Sequence, residues 1–287
     1  MILRYILVLI LAILSTVKLG FQSKFSKKQV KKPADVLIFN FFVFLFSGII
    51  FSYGLIGADK EVLLYGLAGA FFTALFQLSY TQALSIGNVS LTAMIVNLGI
   101  VLNVLISYLF YKEPLSLLRV IGIVLTVITF VICTDFKKSQ KAEKKWLFFA
   151  ISAMITTTAA SGVQQIFSKS QYASQNRAYV SCVYLIGSVL IILAYALLSR
   201  SGNGKTFKIN KHIIFLAMAS GICLGLYKFV STYSLAVVDG TFFFPARAGG
   251  IILFSTLSGV LIFKDKLSTK QKLSVVVGTV AVVLINF

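Results

Sequence analysis

Long apolar segments recur along the whole chain and decide what it can fold into. Each is about 20 residues long, enough for an α-helix to cross a bilayer core of roughly 30 Å. Membrane β-strands are about half that length and alternate polar with apolar residues, so helices are predicted. The composition agrees, since 58% of the residues are hydrophobic and the mean hydropathy is +0.94. We expect an all-α membrane protein with ten transmembrane helices, at residues 3–22, 36–57, 62–85, 89–111, 116–134, 146–167, 178–199, 212–237, 241–263 and 270–286.

The formal net charge of +19 raises the question of a nucleic-acid partner. The basic residues lie in short clusters between the apolar segments, where lysine and arginine set membrane orientation and meet anionic headgroups. The sequence contains no zinc-finger spacing and no RNA-binding signature. We therefore predict a lipid bilayer as the partner of this charge, and no nucleic acid.

The residues that usually carry catalysis are sparse. Cys133, Cys182 and Cys223 lie within apolar segments without paired spacing, so neither a disulfide framework nor a metal site is indicated. The sequence has no paired carboxylates, no nucleophile with a histidine partner and no glycine loop for a phosphate. We expect a protein that is not an enzyme and that carries no cofactor and no metal.

The two halves of the chain repeat one another. Residues 15–29 (STVKLGFQSKFSKKQ) return as residues 157–171 (TTAASGVQQIFSKSQ) at one constant spacing. Residues 80–87 and 110–116 have weaker counterparts at 233–240 and 262–268. We predict a first five-helix repeat at 1–135, a basic linker at 136–145 and a second five-helix repeat at 146–287. An odd number of spans makes the second repeat cross in the opposite direction, which gives an inverted repeat typical of secondary transporters.

An acidic motif closes the fourth span of each half, KEPLS at residues 112–116 and KDKLS at 264–268. With the ten spans in a five-plus-five repeat, the chain resembles the EamA branch of the drug/metabolite transporter superfamily. The resemblance implies a cavity lined by spans one, three, four, six, eight and nine. Members move amino acids, other small metabolites, sugars or drugs, so the substrate stays open. Lys112 stands where the family usually has a glycine before the acidic residue.

The 27 basic residues divide unequally between the two faces of the predicted bundle. One face receives 18 of them and the other receives six, namely Arg4, Lys60, Lys112, Arg119, Lys169 and Arg177. The positive-inside rule assigns the richer face to the cytoplasm, which leaves both termini outside. The family resemblance implies the reverse orientation. We expect an integral, multi-pass protein of a bacterial cell membrane.

Lys228 and Arg247 lie inside apolar segments and are the clearest candidates for function. They lie roughly 15 Å and 10 Å of helix from the turn at residues 238–240, so both can reach one anion. The alternative is that each extends to an interface, and for Lys18, near a span end, this alternative is favoured. Neutral polar residues cluster at the same depth, and their alternative role is hydrogen bonding between helices. The predicted substrate site comprises Lys228, Arg247, Tyr233, Gln77, Tyr80, Asn97 and Gln164.

The predicted function is a secondary transporter, a facilitator or exchanger, of a small anionic or zwitterionic metabolite such as an amino acid. No acidic residue lies deep in a predicted span, which disfavours proton coupling through an interior carboxylate. One alternative is a multidrug or cationic-compound exporter, although buried cations repel such substrates. Another is a non-transporting membrane receptor or scaffold. The oligomeric state stays open.

Overall fold

The computed structural model describes residues 2–29, 33–86, 89–133, 144–198, 211–263 and 269–284. Within those ranges the chain forms ten α-helices and two short 3₁₀ helices, Ser52–Leu55 and Ala173–Gln175, and no strand. The α-helices are α1 Ile2–Gln29, α2 Pro33–Ile49, α3 Lys60–Ile86, α4 Val89–Tyr111, α5 Leu117–Cys133, α6 Lys144–Ser168, α7 Asn176–Leu198, α8 Lys211–Val237, α9 Gly240–Phe263 and α10 Thr269–Leu284.

The predicted helices agree with these ten, and two of the described ends differ from the predicted ones by more than three residues. α1 continues to Gln29, beyond the predicted end at residue 22, because lysine and glutamine sustain a helix as well as apolar residues do. α2 ends at Ile49, earlier than predicted, and the apolar sequence after it forms a turn and the 3₁₀ helix Ser52–Leu55. The predicted ends at residues 134, 199 and 286 lie outside the described part of the chain.

Among the described residues, five helical segments are long and apolar enough to cross a membrane, at Leu3–Gln22, Lys60–Ala83, Lys144–Ser168, Ala173–Leu197 and Lys211–Val237. Shorter apolar helices lie at Ala34–Ile49, Ile95–Tyr111 and Leu117–Thr129. Large apolar side chains are exposed on the outside of the bundle, as lipid-facing surfaces require, and Leu64, Leu109 and Phe148 are about two-thirds exposed. The protein is an integral membrane protein.

Each helix of the first half packs against helices of the second. α3 contacts α6 and α7, α1 contacts α8 and α9, α2 contacts α7 and α8, α4 contacts α6 and α9, and α5 contacts α10. A buried aromatic core joins the halves where α1, α2, α6 and α7 meet. In it Phe25 stacks on Phe39 with ring centroids 3.8 Å apart, and Phe167 stacks on Tyr179 at 4.1 Å.

Glycines bring α2 and α8 into backbone contact. A Cβ atom on Gly221 would lie 2.6 Å from the carbonyl oxygen of Val43, and one on Gly225 would lie 2.9 Å from that of Ser47. The Ser47 hydroxyl uses this proximity and donates a hydrogen bond of 2.8 Å to the Gly221 carbonyl. Small residues at a helix crossing allow this dense packing in a bilayer, where no hydrophobic effect drives helices together.

Candidate functional site

A cavity of about 300 Å³ lies in the middle of the bundle between the two halves. Its walls come from α1, α3, α4, α6, α8 and α9, the six helices that the family resemblance implies, and from α7. Five of its lining residues are strongly polar or charged, and they approach from five different helices: Lys18, Asn97, Gln164, Lys228 and Arg247.

Lys228 is the most firmly positioned cation of the cavity. Its side chain is only 6% exposed, and its Nζ donates a hydrogen bond of 2.9 Å to the Gln164 Oε1. The Gln164 Nε2 donates to the hydroxyls of Ser231 and Thr232, at 3.0 Å each, which fixes the amide so that its oxygen faces Lys228. The Tyr179 ring lies 5.8 Å from the same ammonium and adds a cation–π contact.

Arg247 approaches the same cavity from α9. Its guanidinium lies 5.3 Å from the Phe243 ring and 5.4 Å from the Phe244 ring, both one turn earlier on the same helix. Arg247 and Lys228 lie close enough to repel one another. α9 begins at Gly240 and continues through Pro245 without a break. Arg247 therefore lies in the third turn of this helix.

Lys18 completes the set of cations on the cavity wall. The sequence favoured an extended Lys18 that reaches the membrane interface, and the structure places it at the cavity instead. The difference follows from the length of α1: because the helix continues to Gln29, Lys18 lies 11 residues, roughly 16 Å, from its carboxyl end.

Acidic residues are absent from the described lining of the cavity. In the described ranges no group of three or more His, Cys, Asp or Glu side chains could hold a metal ion. The side chains of Asp265 and Cys133 lie outside what the structure describes. The electrostatic character of the described walls is therefore positive, because their charged groups are Lys18, Lys228 and Arg247.

Five of the seven predicted site residues line the cavity, namely Lys228, Arg247, Tyr80, Asn97 and Gln164. The other two do not. Gln77 is buried between helices, where its Nε2 donates to the Asn40 Oδ1 at 3.1 Å. Tyr233 is 45% exposed on the outside of the bundle.

Sequence reasoning missed several residues of the cavity wall, among them Thr73 of α3, Tyr184 of α7 and Tyr227 of α8. The Thr73 hydroxyl is buried and has no hydrogen-bond partner among the described residues, so it is a spare donor and acceptor on the cavity wall. Its helical spacing to Tyr80 is the signal that could have found it, because residues seven apart share one face of a helix.

Comparison with known proteins finds a family model that matches the first half of the chain. Residues 6–135 match the model of the EamA-like transporter family. The resemblance inferred from the acidic motifs and the repeat is thereby confirmed, and it indicates a membrane transporter of the drug/metabolite transporter superfamily.

A likeness in fold to solved structures extends over both halves of the chain. A solved crystal structure is similar to 99% of this chain and 98% of its own chain, with a TM-score of 0.75 at 14% sequence identity. At that identity the likeness shows a shared fold. In all, 29 chains of solved structures match, whereas no curated protein does.

Proposed function

We propose that the protein is a facilitator or exchanger that moves a small organic anion or zwitterion across the membrane through this cavity. One observation carries the proposal: buried Lys228, oriented by Gln164, shares the cavity with Arg247 and Lys18, and no described carboxylate is present to neutralise them. An ion taken out of water without a counter-charge costs several kcal/mol. A substrate carboxylate or phosphate would supply that counter-charge.

The geometry suits a small ligand with one charged end. Arg247 lines the cavity, and planar guanidinium groups bind carboxylates and phosphates through two parallel hydrogen bonds. The part of the wall that α3 contributes offers neutral groups, the Tyr80 ring and the Thr73 hydroxyl. We infer that the anionic end of the substrate faces α8 and α9 while its remainder contacts α3.

We further propose that all ten helices cross the membrane as an inverted five-plus-five repeat. The packing supports this. If each helix is exchanged for its equivalent in the other half, so that α3 becomes α8 and α6 becomes α1, the contact of α3 with α6 corresponds to that of α8 with α1. The same exchange maps α3 with α7 onto α8 with α2, and α4 with α6 onto α9 with α1. Such symmetry suits a transporter in which one half rocks against the other around a central site.

Flux measurements test the proposal. Purified protein would be reconstituted in proteoliposomes and supplied in turn with carboxylates, phosphate esters, amino acids and organic cations. We expect flux of an anion or zwitterion that Lys228→Ala and Arg247→Ala each reduce by at least about tenfold, equivalent to about 1.4 kcal/mol. Lys60→Ala, which removes an exposed lysine at the start of α3, is the matched control and should leave flux unchanged.

Two results would contradict the proposed site. One is undiminished anion flux in both cavity variants, and the other is flux of organic cations alone. Binding of partner proteins without flux of any compound would favour a receptor or scaffold. A thermal-shift screen of the same compounds identifies ligands before the flux assay, because a ligand that binds the folded state raises the unfolding temperature.

A further inference from the structure

A buried carboxylate joins the two halves at one end of the bundle. Glu113 follows α4 and is 6% exposed. Its Oε2 accepts a hydrogen bond of 2.9 Å from the backbone N–H of Thr241, in the first turn of α9, and its Oε1 lies 3.6 Å from the Nζ of Lys169, just after α6. One side chain of the first half therefore contacts two helix ends of the second half. We call these two contacts the Glu113 latch.

A second set of polar contacts lies beside the latch. The Gln165 Nε2 of α6 donates to the Ser107 hydroxyl of α4 at 2.8 Å. The Thr241 hydroxyl donates to the Pro114 carbonyl at 3.1 Å, so the loop after α4 and the start of α9 are joined twice. Gly240 fits between Ser107 and Gln165, because a Cβ atom there would overlap both side chains.

The latch closes the end of the bundle above the cavity. On α4 the cavity wall ends at Ile100, and Ser107 lies seven residues, roughly 10 Å, beyond it. Buried apolar side chains fill this interval, and Val104, Phe243 and Phe244 belong to one cluster. A solute leaving the cavity at this end must therefore separate that cluster and the polar contacts beyond it.

The chemistry of the latch suits a contact that opens and closes. The Thr241 N–H is one of the amide groups at a helix start that have no partner within the helix, and water can satisfy it as well as a carboxylate can. The Glu113 Oε1 is buried and has no hydrogen bond, and Lys169 is 27% exposed. When the latch opens, these contacts of imperfect geometry are replaced by hydrogen bonds to water. A buried, fully hydrogen-bonded pair would be much harder to separate.

We propose that Glu113 is a gating residue: its contacts with Thr241 and Lys169 hold this end of the cavity closed and break each time that end opens. The inference rests on the proposed transport function. α9 carries both Thr241 and, six residues later, Arg247, so a displacement of this helix acts on the latch and on the cavity together.

Cysteine labelling tests the latch without knowledge of the substrate. In a variant with Cys133, Cys182 and Cys223 replaced by serine, Thr157→Cys places a single thiol on the cavity wall. In a second sample, Lys60→Cys at the exposed start of α3 identifies the membrane side on which this end lies. A membrane-impermeant maleimide is then applied to sealed proteoliposomes from that side, and the labelling rate is measured.

We expect Glu113→Ala to raise the labelling rate of Thr157→Cys from this side at least fivefold. Glu113→Gln, which keeps an acceptor for the Thr241 N–H but loses the charge facing Lys169, should give a smaller rise. The matched control is Glu61→Gln, an exposed carboxylate of α3, which should leave the rate unchanged. Unchanged labelling in Glu113→Ala protein that elutes as a folded species on size exclusion would overturn the proposal.

A disulfide tests the same contact in the opposite direction. Ser107→Cys with Gly240→Cys, in the background without native cysteines and with Gln165→Ala to make room for the new Cβ atom, joins α4 to α9 across the closed end, because that Cβ atom would face the side chain at position 107. Oxidation should abolish both flux and labelling from this side, and a reductant should restore them. Continued labelling after complete oxidation would also contradict the proposal.

The two proposals can fail separately. Labelling that depends on Glu113, together with no anion flux that depends on Lys228, supports the latch and removes the proposed substrate class. Anion flux that depends on Lys228, together with labelling indifferent to Glu113, keeps the transporter and removes the latch.

Discussion

Gln164 has a structural role that follows from its hydrogen bonds and not from its residue type or burial alone. Its amide donates to two hydroxyls of α8 and accepts from Lys228, so it fixes the direction of the central cation. It is a positioning residue for Lys228 as well as part of the cavity wall. The carboxamide matters because it accepts a hydrogen bond without carrying a charge that would compete with an anionic substrate.

Two substitutions of Gln164 test its hydrogen-bond acceptor and its lack of charge separately. Gln164→Glu should lower the affinity for an anionic ligand at least about tenfold, because an internal carboxylate beside Lys228 neutralises it, a change of about 1.4 kcal/mol or more. Gln164→Met, similar in shape and uncharged, should cause a smaller loss because Lys228 is left without its acceptor but gains no competitor. Thermal-shift titration measures both affinities. Equal losses in the two variants would show that charge at this position is irrelevant.

Lys112 shows how one residue connects sequence to backbone. Its φ is 51°, in the left-handed region that favours glycine. The glycine expected from the family resemblance is thus explained by the conformation that the chain adopts just before Glu113. Lysine keeps the same turn at some conformational cost, and Glu113 still reaches α9.

The helices themselves were the predictable part of the structure, because runs of about 20 apolar residues leave few alternatives in a bilayer. The contacts between the helices were less predictable from the sequence. Gln77 and Thr73 lie one turn apart on α3, yet Gln77 turns to Asn40 while Thr73 faces the cavity. Which of two neighbouring polar residues meets a partner depends on the rotation of α3 against α2. A single sequence does not encode that rotation in its hydropathy.

The α2–α8 crossing depends on glycine at position 221, where the approach of the two backbones is tightest. Gly221→Ala should destabilise the protein by about 1–3 kcal/mol, because the new methyl group would meet the Val43 carbonyl, which is backbone and cannot turn away. Gly162→Ala in α6 is the matched control, since a Cβ atom there has nothing within 4 Å. It should be neutral or slightly stabilising, because alanine favours a helix more than glycine does. Thermal unfolding in detergent compares the two, and equal midpoints would contradict the packing argument.

The division of basic residues between two faces concerns the whole bundle. Arg4 and Arg119, assigned by sequence to the face with few basic residues, line one cleft together at the end where the latch lies. Lys169 belongs to the latch itself. These three residues of the group therefore lie at one end of the bundle. The orientation of the protein follows from which side of the membrane that end faces.

The positive-inside rule predicts that the latch end and both termini face outward, because the opposite face carries 18 of the 27 basic residues. Paired fusions at the carboxyl terminus test this: a phosphatase that is active only outside should be active, and a fluorescent protein that matures only inside should be dark. Replacing Lys27, Lys28, Lys31 and Lys32 with glutamine should increase the fraction of inverted molecules. The reverse pattern in the unaltered protein would mean that the orientation implied by the family outweighs the charge bias. The Glu113 latch would then close the cytoplasmic end of the cavity.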